Sequence, residues 1–213
     1  MIGKHIKFIK TRWFLAIACL LFGAFIILSI RFFTYRPDTI HYHANFALYI
    51  NGQREEFRSQ TYYEESETCA VDATMTPIDR AHMHDGVNDV VHVEDHAVTW
   101  GQFFTNLGWY LGPYFIEGPG PYGTMYLENG NSQLHLILNG QNYTDLGGLQ
   151  NTVIKDQDKL LVSFGDLSQA TLQQEYKAIP STARHYDITP DPRTCSGSQD
   201  QTITLRDRLD HLL

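Results

Sequence analysis

HYHANFALYINGQREEF, residues 41–57, is the stretch that sets the fold class. Tyr42, Ala44, Phe46, Leu48 and Ile50 alternate with His41, His43, Asn45, Ala47 and Tyr49. A period of two puts the two series on opposite faces of a half-buried strand. Asn51-Gly52 follows, a pair that accepts positive φ at both central positions of a type I′ turn, so Gln53 to Phe57 is expected to return as the partner strand.

The chain echoes this unit downstream. Leu134 to Gln141, LHLILNGQ, resembles Phe46 to Gln53, FALYINGQ, at an offset of 88 residues and with the same Asn-Gly pair. Two independent hairpins that use one favoured turn account for the echo better than an internal repeat does, because Asn-Gly is the commonest such signal. Val153 to Phe164 reads as a polar turn and another strand. Thr99-Trp100-Gly101-Gln102 fits a capping box, with Phe103, Phe104 and Leu107 as the apolar face of a helix and Gly108 as its stop. Ser168 can cap a second helix through Tyr176 and Ala178. Ser59 to Asp79 reads as a long polar loop with a short helix, and GPYFIEGPGPYG, residues 112–123, as an exposed aromatic loop too rich in Gly and Pro for regular structure. Arg184 to Ser198 reads as loop, and Thr204 to Leu213 as a last turn or two of helix. The expected fold is α+β, with a predominantly antiparallel β domain.

Upstream of residue 41 the character of the chain changes. Trp13 to Ile30, WFLAIACLLFGAFIILSI, holds eighteen residues without a charge, enough for a membrane-spanning helix. A cleavable signal peptide is the rival reading, but the run exceeds the usual apolar core of roughly 7 to 15 residues and no A-x-A site follows. Lys4, Lys7, Lys10 and Arg12 precede the run, which predicts a cytoplasmic N-terminus and an extracytoplasmic domain; Arg31 and Arg36 weaken the contrast without reversing it. The expected organisation is a basic flank over 1–12, a transmembrane helix over 13–33, a linker over 34–40, a His-rich globular domain over 41–183 and a tail over 184–213.

All 24 acidic residues lie beyond Pro37, against ten basic ones there. Such a surface repels nucleic acid and anionic headgroups, because it has no Lys/Arg stripe to neutralise phosphates, and it suits a cation. Nothing in the sequence names a protein partner. Cys19 lies inside the apolar run, leaving Cys69 and Cys195 as the two cysteines of the exported part. In an oxidising compartment they are expected to form one disulfide that docks the tail, closing a loop of about 125 residues worth up to ~4 to 5 kcal/mol by chain entropy.

Six of the ten histidines fall between positions 41 and 96, in HYHANF, AHMHDG and VVHVEDHAV. Strand residues i and i+2 share a face, so His41 with His43, and His82 with His84, are two-point chelates, while His92, Glu94 and His96 face away from Val91 and Val93. Neutral imidazole suits copper and zinc, and three or four nitrogens with an occasional carboxylate is the usual site. The candidate ligands are His41, His43, His82, His84, His92, His96 and Glu94, with Asp85 and Asp95 as ligands or as acceptors that orient a ring N–H. His135 is a weaker candidate, and Met83, out of phase with His82 and His84, reads as core. The competing reading is a solvated polar sheet face with no ligand role.

Known enzyme patterns do not fit. The glutamate a cupin needs after H-x-H is missing behind His43 and His84, HMHDG stops short of H-x-H-x-D-H, and H-E-x-x-H is absent. No phosphate loop, G-x-S-x-G elbow or C-x-x-C pair occurs. Asn142-Tyr143-Thr144 is a glycosylation sequon in a host that reads one. His41-x-His43-Ala44 before an Asn-Gly turn, then His82-Met83-His84-Asp85, His92 and a helix from Thr99, resembles a group of uncharacterised membrane-anchored, His-rich exported proteins of archaea and candidate-phylum bacteria, over about residues 39 to 165. That resemblance implies no assigned activity, and it implies a histidine near position 94, where this chain has Glu94. Three functions follow as expectations: an extracytoplasmic copper- or zinc-binding domain, a structural or adhesive surface domain with incidental histidines, or a metal-dependent hydrolase with Glu94 or Asp85 as general base.

Overall fold

The computed structural model describes residues 2–35, 40–63, 76–84, 86–120, 122–188, 205–210 and 212. They fall into two units, Met1–Asp38 with Asp200–Leu213, and Thr39–Gln199. In the first, α1 (Ile2–Thr34) is one continuous helix. Its segment Trp13–Thr34, 22 residues, is long and apolar enough to cross a membrane. At 1.5 Å per residue it is about 33 Å long, against a hydrocarbon core of about 30 Å.

The second unit is built on a sheet. The quoted stretch forms β1 (Tyr42–Ile50) and β2 (Gln53–Arg54), joined by Asn51 at φ 50° and Gly52 at φ 75°, the two positive values a type I′ turn requires. A short 3₁₀ turn (Gln60–Tyr62) and α2 (Pro77–Arg80) lead to β3 (Ala81–His82) and β4 (Val90–Val93). Then come α3 (Trp100–Asn106) and a small sheet of β5 (Tyr110–Leu111), β6 (Phe115–Glu117) and β7 (Met125–Leu127). The second hairpin is β8 (Gln133–Leu138) and β9 (Gln141–Asn142), turning on Asn139 at φ 54° and Gly140 at φ 80°. After α4 (Leu146–Leu149), β10 (Lys159–Gly165) completes the large sheet, followed by α5 (Gln169–Ala178) and α6 (Ala183–Ile188).

The large sheet has seven strands in the order β3-β4-β1-β10-β8-β9, with β2 paired to β1. Every pairing is antiparallel except β1 with β10, so the two Asn-Gly hairpins flank β10 while running in opposite directions. One face carries the even-numbered residues of β1: Ala44, Phe46 and Leu48 pack with Met83, Val91, Val93, Leu160 and Val162 against Trp100, Phe103 and Phe104 of α3. Phe46 meets Phe103 edge to face at 4.8 Å. Fully burying each such ring stabilises by roughly 1.5 to 3 kcal/mol. The opposite face buries Ala47, Ile137 and Leu161 beneath Leu172 and Ile179. Met83 is core, as its phase predicts.

Thr99 caps α3, its hydroxyl accepting from the Gln102 N–H at 3.2 Å, but the reciprocal half of the capping box is not made: the Gln102 amide oxygen accepts from Arg80 instead. Residues 112–123 are not a loop throughout. Gly112, Pro113 and Pro119 bracket β6 rather than interrupt it, so Phe115–Glu117 still pairs on both sides. The loop expected from residue 184 also begins as helix, since α6 runs to Ile188. Cys69, Cys195 and Asp85 lie outside the described residues. The last helix, α7 (Leu205–Asp210), belongs to the first unit, where Arg208 donates to the Phe32 carbonyl at the end of α1 (2.6 Å).

Candidate metal centre

The pleat delivers the histidines. In β1, β4 and β3 the register pairs His43 with His92 and His92 with His82, so three imidazoles from three adjacent strands form a row on the face away from the main core. His41, two residues before His43, and His84, two after His82, extend that row along the strand direction.

What covers this face is α6, and the sequence explains how it gets there. Asn45 is buried on the histidine side of β1; its Oδ1 accepts from the Ala183 N–H (2.9 Å) and its Nδ2 donates to Thr182 Oγ1 (3.0 Å), fixing the start of the helix. From Ala183 to Asp187 the helix rises about 6 Å, and from Asn45 to His43 the strand runs nearly 7 Å, so Asp187 comes to lie over His43. The His43 Nδ1–H donates to Asp187 Oδ1 at 2.6 Å, and the Tyr186 ring stands 5.7 Å from that of His43.

The rings are buried. His43 is 1 % exposed, His82 and His92 2 %, and His84 3 %, which overturns the solvated sheet face as their setting. Burial of so many polar rings has a cost unless each nitrogen finds a partner. His82 Nδ1–H donates to the Ile78 carbonyl at the end of α2 (3.0 Å), which fixes the tautomer and leaves Nε2 with a lone pair. That Nε2 lies 2.8 Å from His84 Nε2, and His43 Nε2 lies 2.8 Å from His92 Nδ1. Each outer ring thus has its N–H held by an oxygen and its second nitrogen turned inward, the arrangement that orients histidine on a metal.

Burial is the main cause holding the His92 pKa below its ordinary range, with His84, His43, His82 and His41 around it adding to the effect, so the ring is neutral. Asp187 is pushed up by burial, and so is Asp156, which the neighbouring Asp187 raises further.

The ligand atoms gather in two sets, His41, His43 and His92, and His82, His84 and Glu94, each within 4.8 Å among its own members. A tetrahedral ion with N–metal bonds of about 2.0 to 2.1 Å holds its nitrogens about 3.3 Å apart, so each pair need open by only about half an ångström. The residue types and spacing fit such an ion. His96 is exposed and belongs to neither set: β4 ends at Val93, the His96 N–H donates to Asp95 Oδ1 (2.6 Å) and Ala97 turns at φ 55°. Asp95 faces Arg80 Nε at 2.6 Å rather than an imidazole, and the His96 N–H and Arg80 hold its carboxyl below the usual range. His135 sits on β8 opposite Ser163, with β10 between it and β1, in a groove also lined by Glu128 and Asn142. Asp187, Tyr186 and Asn45 escaped the sequence reading; for Asn45 the signal was present, as a polar residue in phase with His41 and His43 on the strand.

No family model matches the chain, and no curated protein or solved structure matches it.

Proposed function

We propose that this chain is a membrane-anchored, extracytoplasmic metal-binding protein whose histidine cluster takes copper or zinc. The observation that carries the reading is the pair of inward-facing nitrogen couples at 2.8 Å among four buried imidazoles, whose outer N–H groups are held by Asp187 and the Ile78 carbonyl. Incidental surface histidines have no reason to be buried together. The acidic character of the domain favours a cation, and the uncharged run after a basic flank supports an anchor with the domain outside.

The test is elemental analysis of the full-length chain, purified in detergent without an affinity His-tag, with a melting comparison after chelator treatment. An ion that binds only the folded state stabilises it by ~2.7 kcal/mol at a hundredfold excess over Kd. Copper or zinc is expected to raise the melting temperature. A melting temperature indifferent to both ions sinks the reading.

A further inference from the structure

We infer that the cluster holds two ions side by side, one in each set of ligands; this rests on the metal-binding reading above. The grouping of the nitrogens and carboxylate carries it: the three candidate ligand atoms of each set lie within 4.8 Å of one another, and each set holds one of the two 2.8 Å nitrogen couples. In each set one couple meets edge to face, His43 with His92 and His82 with His84, both at 82°. Between the sets, His82 and His92 lie parallel, 5° apart in tilt and 6.0 Å between centroids, while His84 and His92 meet edge to face at 87°. An imidazole nitrogen binds metal in the plane of its ring, and two stacked rings cannot aim that direction at one point between them. The two sets offer six candidate ligands, more than the four a tetrahedral ion takes.

Charge also favours two positions. Glu94 is a member of the set with His82 and His84, and Asp187 stands behind His43 in the other. Each ion therefore has its own carboxylate, which offsets the repulsion between neighbouring cations. The sets still adjoin, since the His84 and His92 rings are 4.2 Å apart.

The probe is Zn(II), titrated into the chelator-stripped full-length chain in detergent, with bound metal counted by elemental analysis and the same sites read with Cd(II) by ¹¹³Cd NMR. Two equivalents and two cadmium resonances are expected. His43→Gln and His82→Gln should each leave one equivalent and one of the two resonances. The wild-type count does not depend on either variant folding, and a metal-free melt of each variant identifies one that has failed to fold. One equivalent with one resonance in the wild type overturns the two-ion arrangement and leaves the metal-binding reading intact. No bound metal at all overturns both.

Discussion

His92 lies at the middle of the histidine row, and its neighbours make its protonation expensive in the folded domain. Its pKa is held below the ordinary 6.5 by burial first and by four nearby histidines second. The unfolded chain takes up that proton near pH 6.5, so the stability contributed by a neutral His92 is fully present above that pH. It declines as the pH falls below it, by about 1.4 kcal/mol per unit for one such group. Asp156 and Asp187, raised by burial, act with the opposite sign, because the folded state holds their proton more readily. Comparison with His92→Gln separates the two: in chelator, urea denaturation between pH 7.5 and 5.5 is expected to show wild type losing ~1 to 1.5 kcal/mol more than the variant. Parallel stability profiles would show that His92 does not carry the acid sensitivity.

Among the elements, α3 is clamped against the segment that follows α4. Trp100 N–H donates to the Thr152 carbonyl (3.0 Å) and Ile154 N–H to the Val98 carbonyl (2.9 Å), bringing the first turn of α3 against residues 150–154. Gly101 permits that approach: a Cβ there would stand 2.6 Å from the Gln150 carbonyl oxygen and 2.7 Å from its Cα, both backbone atoms that cannot swing aside. Alanine is the better helix former by about 1 kcal/mol, so propensity alone favours Gly101→Ala. Overpacking costs roughly 1 to 3 kcal/mol and wins when backbone must move. Chemical denaturation of Gly101→Ala should therefore show a net loss of up to about 2 kcal/mol, and an increased stability would mean that the contact relaxes freely.

At the scale of the whole molecule, the asymmetry of charge about Trp13–Ile30 sets the expected topology: the basic flank stays in the cytoplasm and the acidic domain lies outside. A protease added to intact cells is expected to remove the domain; protection until lysis would reverse the orientation. That span, both Asn-Gly hairpins and the separation of imidazoles from the core were legible in the sequence, because each follows from local rules: an uncharged run, a turn needing positive φ, and side chains alternating along a strand. Local rules end where the strand ends, which is why His96 reads in phase with His92 yet lies beyond Val93 in a turn. Pairing of strands far apart in the chain leaves no periodic trace, so the parallel placement of β10 beside β1 was not legible, nor was Asp187, 144 residues from the His43 it contacts. The sequence by itself determined which face the histidines occupy. Only the tertiary structure decided that this face is buried, with α6 over His43, and that its candidate ligands gather in two sets, because burial and the meeting of side chains arise from packing between elements that share no local pattern.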